Sequence, residues 1–158
     1  MFNQPRSVPY HTQDRQWDGR FNVQDPADLD RLLAALRSEW DAGKFSYILV
    51  GGLELGTRPT HDDYQVRHVH VASIFRNRVS KASIIKNWGI KEGNGYYLVP
   101  RNRDLPFSGW RAHHVKEFSK IDTSRCVLYE AGELPKDSNK PIVKASEQEK
   151  KRKIDSGR

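Results

Sequence analysis

Two histidines separated by one residue lie in the stretch RHVHVAS at residues 67–73. Residues two apart on a β-strand point to the same face of the sheet, so His68 and His70 would lie side by side on a strand. Two neutral imidazoles at this spacing can each direct a nitrogen toward one divalent ion. Exposed or hydrogen-bonded histidine pairs share the spacing, so a metal site requires a further ligand.

A carboxylate precedes the histidines in the apolar run LVGGLELG, where Glu54 lies near the end of a predicted strand. Burying a carboxylate is costly unless it is paired or bound to a metal. If residues 45–56 and 66–75 form a hairpin, Glu54 lies across from His68 and His70. This ligand set suits Mg²⁺ or Mn²⁺ better than structural Zn²⁺, which has four ligands that usually include cysteine. The following loop offers the alternative ligands His61, Asp62 and Asp63.

The surrounding pattern predicts the elements that would position these side chains. Asp25 as N-cap and Pro26 in the first turn begin an amphipathic helix that ends at Gly43. A short helix follows Ser80, and a last helix covers residues 107–120. The predicted strands are residues 20–24, 45–56, 66–75, 95–100 and 125–132. This order predicts an α+β fold with a central, mainly antiparallel five-stranded sheet and helices packed on it.

Composition limits the class of protein. The chain has 158 residues, 36% of them hydrophobic and 30% charged, and no apolar run approaches the length of a membrane span. A single cysteine, Cys126, excludes an internal disulfide framework and is expected to be a small core residue. The pattern predicts a flexible N-terminal arm at residues 1–16, a folded domain at 17–135 and a basic linker or disordered tail at 136–158.

The net charge of +7 suggests an anionic partner. Residues 136–158 hold eight Lys/Arg and four Asp/Glu, a net charge of +4, so much of the basic character lies in the tail. Within it, KKRK at residues 150–153 is typical of a nuclear address or a phosphate-binding arm, and equally of a solvated tail.

Four segments, in order, resemble the motifs of one protein family. They are RFNVQD, YILVGGLELG with its G-x-E-x-G ending, the His-hydrophobic-His segment RHVHVA, and the closing LYEAGELP. The chain resembles, over roughly residues 19–135, the HUH endonuclease domain of replication initiator (Rep) proteins of circular single-stranded DNA viruses. The resemblance implies that Glu54, His68 and His70 are the metal ligands.

The resemblance also implies an activity and partners. The family cleaves and rejoins single-stranded DNA at an origin stem-loop to begin rolling-circle replication. A divalent ion, Mg²⁺ or Mn²⁺, polarises the scissile phosphate, and a tyrosine forms a covalent 5′-phosphotyrosine linkage. It further implies assembly on DNA, a helicase domain following the endonuclease domain in a longer chain, and location in the host nucleus.

The chain departs from the family at the Tyr-x-x-Lys motif, because the last predicted helix, PFSGWRAHHVKEFSKID, contains no tyrosine. Phe118 is a candidate for the nucleophile position because it lies late in the helix, although Ile121 rather than lysine follows three residues later. His113 has Lys116 at the required spacing, and Phe107 precedes the helix body. The strand residues Tyr96 and Tyr97 remain further candidates, of which one would face the core and the other would be exposed.

Helical geometry separates these candidates into two faces. One stripe would form the core face, and the other would be polar and suited to a phosphate. The core stripe consists of Phe107, Trp110, His114, Phe118 and Ile121, and the polar face of His113, Lys116 and Lys120.

Two alternative functions remain open. A non-catalytic RRM-like module would hold single-stranded nucleic acid on aromatic and basic side chains without cutting it. Its contacts would come from Tyr96, Tyr97, Arg101 and Arg103, and it leaves the histidine pair unexplained. A zinc-dependent hydrolase would require a fourth ligand or a general-base motif, neither of which the sequence offers.

Overall fold

The computed structural model describes residues 7–60, 64–91 and 95–138, and these form an α+β fold. The alternative ligands His61, Asp62 and Asp63, and the tail beyond residue 138, lie outside the described residues. The elements are β1 (Gln13–Asn22), α1 (Pro26–Asp41), β2 (Phe45–Gly51), β3 (Glu54–Leu55), β4 (Arg67–Ser80), α2 (Lys81–Trp88), β5 (Tyr96–Pro100), α3 (Phe107–Val115) and β6 (Val127–Gly132).

The sheet is built around the long strand β4. The strand order is β5-β1-β4-β2-β6, and the short strand β3 pairs with β4 at the end where that strand begins. All strand pairs in the described residues are antiparallel. The predicted fold class is therefore confirmed. The sheet has six strands rather than five because the predicted strand at residues 45–56 breaks after Gly51.

Apolar residues on both faces of the sheet form two cores. Helices α1 and α2 cover one face, where Leu36 and Trp88 pack with Val69 and Val71. Helix α3 covers the other face, where Trp110 belongs to a smaller core with side chains from β2 and β4. Because neighbours on β4 alternate between faces, His68 and His70 point to the face that carries α3.

The helix signals in the sequence are confirmed for α1 and α2. Asp25 caps α1 by accepting a hydrogen bond from the backbone N–H of Ala27 at 3.0 Å. Ser80 caps α2 in the same way, because its hydroxyl oxygen accepts a hydrogen bond from the backbone N–H of Ser83 at 3.1 Å. Gly89 follows α2 with a φ of 67°, a left-handed conformation that favours glycine.

Three predicted boundaries are wrong, and one of them is the end of β4, which lies at Ser80 rather than at residue 75. Strand β1 begins at Gln13 rather than Arg20, so residues 13–16 of the predicted arm belong to the sheet, where they pair with the end of β4. Helix α3 ends at Val115 rather than at residue 120, because Lys116 has extended backbone angles. The early end of α3 invalidates the helical stripes beyond that residue.

The side chains after α3 consequently differ from the prediction. Trp110 and His114 are buried as the core stripe requires, but Phe118 is 94% exposed and Ile121 is 46% exposed. Lys120, predicted on a polar helix face, is buried. The prediction that Cys126 is a core residue is also wrong, since it is only partly buried and its thiol contacts the Thr123 carbonyl at 3.4 Å. Among the described residues, no helix combines the length and apolarity that a membrane span requires.

Candidate metal centre

The backbone register brings the three predicted ligands together. Glu54 in β3 is the direct cross-strand partner of His68 in β4, and His70 follows on the same face. The Oε1 atom of Glu54 lies 3.6 Å from Nε2 of His68 and 3.8 Å from Nε2 of His70. The potential ligand atoms of all three residues lie within 4.8 Å of one another, so this group can hold a metal ion.

The two glycines before β3 let the chain reach this position. A Cβ atom on Gly51 would lie 2.5 Å from the carbonyl oxygen of His114, and one on Gly52 would collide with the carbonyl oxygen of Arg125. Gly52 also donates a backbone hydrogen bond to Cys126 at 2.8 Å. The glycine pair therefore allows a close approach of backbone segments as the chain passes from β2 into β3.

The electrostatic surroundings keep the ligands in the forms that a metal requires. Glu54 is only 5% exposed. Burial raises the pKa of its carboxyl, but contacts with His68 and Lys120 outweigh burial and hold that pKa well below its usual value. Burial lowers the pKa of His70 well below its ordinary value. At neutral pH, Glu54 is thus ionised and His70 is neutral, with a nitrogen lone pair.

The sequence interpretation did not predict that Lys120 contacts Glu54. Its Nζ atom lies 2.8 Å from Oε2 of Glu54, and its side chain is 0% exposed. The backbone holds this contact in place, because Glu54 and Lys120 form an isolated antiparallel bridge and Ile121 donates to the carbonyl of Leu53 at 2.9 Å. The two carboxylate oxygens therefore have different partners, the histidines at Oε1 and the lysine at Oε2.

One signal in the sequence could have indicated this lysine. A buried carboxylate requires a metal or a cationic partner, so the burial expected for Glu54 is also consistent with a lysine beside it. The predicted continuation of the helix to residue 120 also placed Lys120 on a solvent-facing surface. That placement gave no reason to expect Lys120 as the partner of Glu54.

Arg20 and Tyr97 extend the candidate site across the sheet. In register, Arg20 of β1 lies opposite both His70 of β4 and Tyr97 of β5, so the three side chains share one face. The Nη2 atom of Arg20 lies 3.4 Å from Nδ1 of His68. Tyr96 points to the opposite face and stacks on Phe21, with ring centroids 6.3 Å apart. The prediction that one of the two tyrosines faces the core is thus confirmed for Tyr96, whereas Tyr97, predicted to be exposed, is half-buried.

His114 connects α3 to the candidate site. Its Nδ1 atom lies 2.8 Å from the carbonyl oxygen of Trp110, and its Nε2 atom lies 3.0 Å from Oδ1 of Asp18. Its ring meets that of His70 edge to face, with centroids 5.9 Å apart. The C-terminal end of α3 is therefore the end that borders the ligand group.

The candidate nucleophile positions occupy different surroundings. Phe118 lies in the segment between α3 and β6, two residues before Lys120, and its ring is almost entirely in solvent. His113 is exposed on the last turn of α3. Lys116 ends the helix and its Nζ atom lies 3.0 Å from Oγ of Ser119. Phe107 begins α3, about 10 Å along the helix from His114, and packs against the smaller core.

Exposed apolar side chains surround β3. Among the described residues, six large apolar side chains are exposed. Five of them lie in β3 or in segments that pair with residues 51–56. Aromatic and apolar groups beside cations are typical of surfaces that bind single-stranded nucleic acid. The five residues are Leu55, Tyr64, Phe118, Ile121 and Val127.

The arginines predicted for a binding module are engaged elsewhere. Arg101 is buried, donates to Oε1 of Gln16 at 2.9 Å and lies 4.0 Å from the ring centroid of Phe107. Arg103 pairs with Asp14 at 2.7 Å. Both residues stabilise the connection between β5 and α3. Arg20 is the arginine placed beside the ligand group.

Comparison with known proteins adds no assignment. The sequence matches no protein-family model, and a search of the curated proteins finds no match. The resemblance to HUH endonucleases therefore depends on the residues and motifs alone.

Proposed function

We propose that this chain is an HUH-type single-stranded DNA endonuclease and strand transferase that uses Mg²⁺ or Mn²⁺ to initiate rolling-circle replication. The observation that carries the proposal is the convergence of Glu54, His68 and His70 on one sheet face, with all ligand atoms within 4.8 Å. The order of the four sequence motifs supports the same activity.

The ligand set fits the proposed ions. Nδ1 of His68 lies 3.4 Å from both the carbonyl oxygen of Val66 and Nη2 of Arg20, so Nε2, which faces Glu54, is the nitrogen left to bind a metal. The group in the described residues contains no cysteine and no fourth ligand, unlike a closed zinc site. When bound, such an ion would polarise a phosphate diester and stabilise the charge that develops on it.

The neighbouring side chains have separate roles in this proposal. Arg20 binds the phosphate backbone beside the ligands, and Tyr97 offers a ring on which a base can stack. Phe118 provides a second, exposed aromatic ring. Lys120 pairs with Oε2 of Glu54, while Oε1 faces the histidines.

The chain departs from the proposed family at the nucleophile, where a tyrosine is expected. A tyrosine at position 118 would attack phosphorus, forming a phenolic O–P bond and breaking the bond to the 3′ oxygen. The phenol would lose its proton, and the 3′ oxygen would gain one. Phe118 lacks the hydroxyl, so we infer that the chain is deficient in nicking. His113 and Tyr97 are the other candidates near the ligands.

A covalent-capture experiment tests the proposal. Labelled single-stranded hairpins with a randomised loop are incubated with Mn²⁺ and the Phe118→Tyr variant, then separated by denaturing electrophoresis. We expect a labelled protein band that requires Mn²⁺ and disappears when His70 is replaced by alanine. DNA binding with no covalent band in any variant at positions 97, 113 or 118 would contradict the endonuclease assignment.

A non-catalytic single-stranded nucleic-acid-binding module is the second candidate. Two observations favour it: α3 carries no tyrosine, and the exposed ring of Phe118 suits base stacking better than phosphoryl transfer. The two functions differ in their need for metal. A binding module would hold single-stranded DNA equally well with a chelator and with Mn²⁺, and would do so after replacement of His70.

A further inference from the structure

The one carboxylate ligand is balanced by a cation before any ion binds. Glu54 is paired with Lys120, whose side chain is fully buried. Asp18 lies behind the site on His114, whose two ring nitrogens face the Asp18 carboxylate and the carbonyl oxygen of Trp110. Arg20 places a second cation 3.4 Å from His68. A divalent ion would therefore bring two positive charges to a ligand group that already has two cations beside its one carboxylate.

This balance differs from that of ordinary magnesium or manganese sites. Such sites bind the ion through one or two carboxylates and complete the charge balance with substrate phosphates. Here the one carboxylate ligand already has a cation on its second oxygen. Removal of Lys120 alone would leave the carboxylate charge of Glu54 free to attract a divalent ion.

We propose that Lys120 makes metal binding depend on the phosphate backbone of a bound nucleic acid, so that the ion and the strand bind cooperatively. This inference rests on the proposed function for the identity of the anion. The coupling between the metal ion and the strand is reciprocal, because a strand that strengthens metal binding must itself be bound more tightly in the presence of the metal.

The position of Lys120 explains why its charge is the decisive one. Its side chain is fully buried and its backbone is bridged to Glu54, so the ammonium group has no solvent-exposed alternative. The attraction or repulsion between charges is also far stronger where water is excluded than at the surface. Arg20, by contrast, is only half-buried, at the register position opposite His70.

The first test measures Mn²⁺ affinity by calorimetry on the full chain without DNA. Lys120→Gln removes the charge but keeps an amide donor for Glu54, and Lys120→Met removes both. We expect each variant to bind Mn²⁺ at least about tenfold more tightly than the wild type. Lys44→Gln is the matched control, because Lys44 pairs with the buried Glu39 at 3.4 Å, away from the ligands. It should bind Mn²⁺ as the wild type does.

The second test adds a saturating single-stranded oligothymidylate. We expect wild-type Mn²⁺ affinity to rise about tenfold and the affinity of Lys120→Gln to rise much less. His70→Ala with the same oligonucleotide corrects for ions held by the DNA itself. Inorganic phosphate at equal phosphate concentration should produce a smaller rise, and an equal rise would contradict nucleic acid as the partner.

Two results would overturn the inference. One is Mn²⁺ affinity in Lys120→Gln and Lys120→Met equal to or weaker than that of the wild type, with thermal unfolding showing both variants folded. The other is wild-type Mn²⁺ affinity that does not change although the oligonucleotide binds. If no oligonucleotide binds, the proposed function fails, while tighter Mn²⁺ binding by Lys120→Gln would still support the charge argument.

Discussion

Glu54 and His68 are direct cross-strand partners, and the Oε1 atom of the carboxylate lies 3.6 Å from the imidazole Nε2 atom. This pairing is set by backbone hydrogen bonding between β3 and β4 rather than by a flexible loop. Ligands on strands hold their geometry better than ligands on loops. The candidate site is therefore built into the sheet.

Replacement of His70 tests the metal site. His70→Ala removes one of the three ligands, and we expect Mn²⁺ binding in calorimetry to be abolished while circular dichroism remains that of the wild type. His11→Ala is the control, because His11 is an exposed histidine in the N-terminal segment before β1. Unchanged Mn²⁺ affinity in His70→Ala would refute the assignment of the site.

Phe118→Tyr tests the nucleophile position. The ring is 94% exposed, so the added hydroxyl stays in water and the free energy of unfolding should change by less than about 0.5 kcal/mol. We expect the variant to gain a Mn²⁺-dependent covalent adduct with single-stranded DNA, detected after denaturing electrophoresis. Phe118→Leu should form none. A stable Phe118→Tyr protein without adduct would move the assignment to His113 or Tyr97.

Tyr97→Leu tests the nucleic-acid face. Loss of one stacked base costs about 1–3 kcal/mol, so affinity for a single-stranded oligonucleotide should fall roughly tenfold or more in fluorescence anisotropy. Tyr10→Leu is the control, since Tyr10 is an exposed tyrosine near α2, where Lys81 approaches its ring. Equal losses in the two variants would place the binding surface elsewhere.

Removal of residues 139–158 tests the basic tail. These residues hold seven Lys/Arg and three Asp/Glu, a net charge of +4, whereas Asp137 must be kept because it accepts a hydrogen bond from Ser108. We expect non-specific binding to weaken more than site-specific binding. The salt dependence should become shallower by about 0.7 for each phosphate that the shortened protein no longer neutralises. Loss of sequence preference would instead make the tail a reader of sequence.

The pH dependence of stability should reveal the ion pair that fixes α3 to β6. Arg111 donates two hydrogen bonds of 2.8 Å to Glu130, and these hold the pKa of Glu130 below its usual value. A lowered folded-state pKa stabilises the fold above the unfolded pKa, about 4.3, and this contribution disappears as pH falls through the folded value.

Urea unfolding of Glu130→Gln measures this contribution. We expect the variant to be about 1 kcal/mol less stable than the wild type at pH 7, because the pair is partly exposed. The difference should shrink as pH falls below the unfolded pKa of about 4.3 and disappear once Glu130 is protonated in the folded state. Glu133→Gln, at an exposed position just after β6, should match the wild type throughout. A difference that does not shrink as the pH is lowered would show that the carboxylate's charge is not the cause.

Much of the fold and the ligand group could be predicted because the signals are local. The two-residue spacing of His68 and His70 places them on one face of any strand, and a hairpin between neighbouring strands brings Glu54 opposite them. The capping residues Asp25 and Ser80 likewise predicted where two helices begin. In each case, periodicity or capping chemistry is sufficient without knowledge of distant contacts.

The segment after α3 could not be predicted because a distant contact determines it. The apolar spacing from Trp110 through Ile121 favours a continued helix, and the stretch contains no glycine or proline to end it. The buried pairing of Lys120 with Glu54 is a tertiary interaction between residues 66 positions apart. A sequence pattern shows neither partner's location, and helix propensity is weak enough for such a contact to override it.

The glycine pair before β3 gives the protein an unusual pattern of mutational tolerance. Any side chain at Gly51 or Gly52 would meet backbone oxygen atoms, which cannot rotate away as a flexible side chain can. Substitution there would displace Glu54 without altering any ligand. In a comprehensive mutational scan for metal binding, these two positions should be as intolerant as the ligands themselves. A lineage could therefore lose metal binding through a substitution at Gly51 or Gly52 while Glu54, His68 and His70 were all retained.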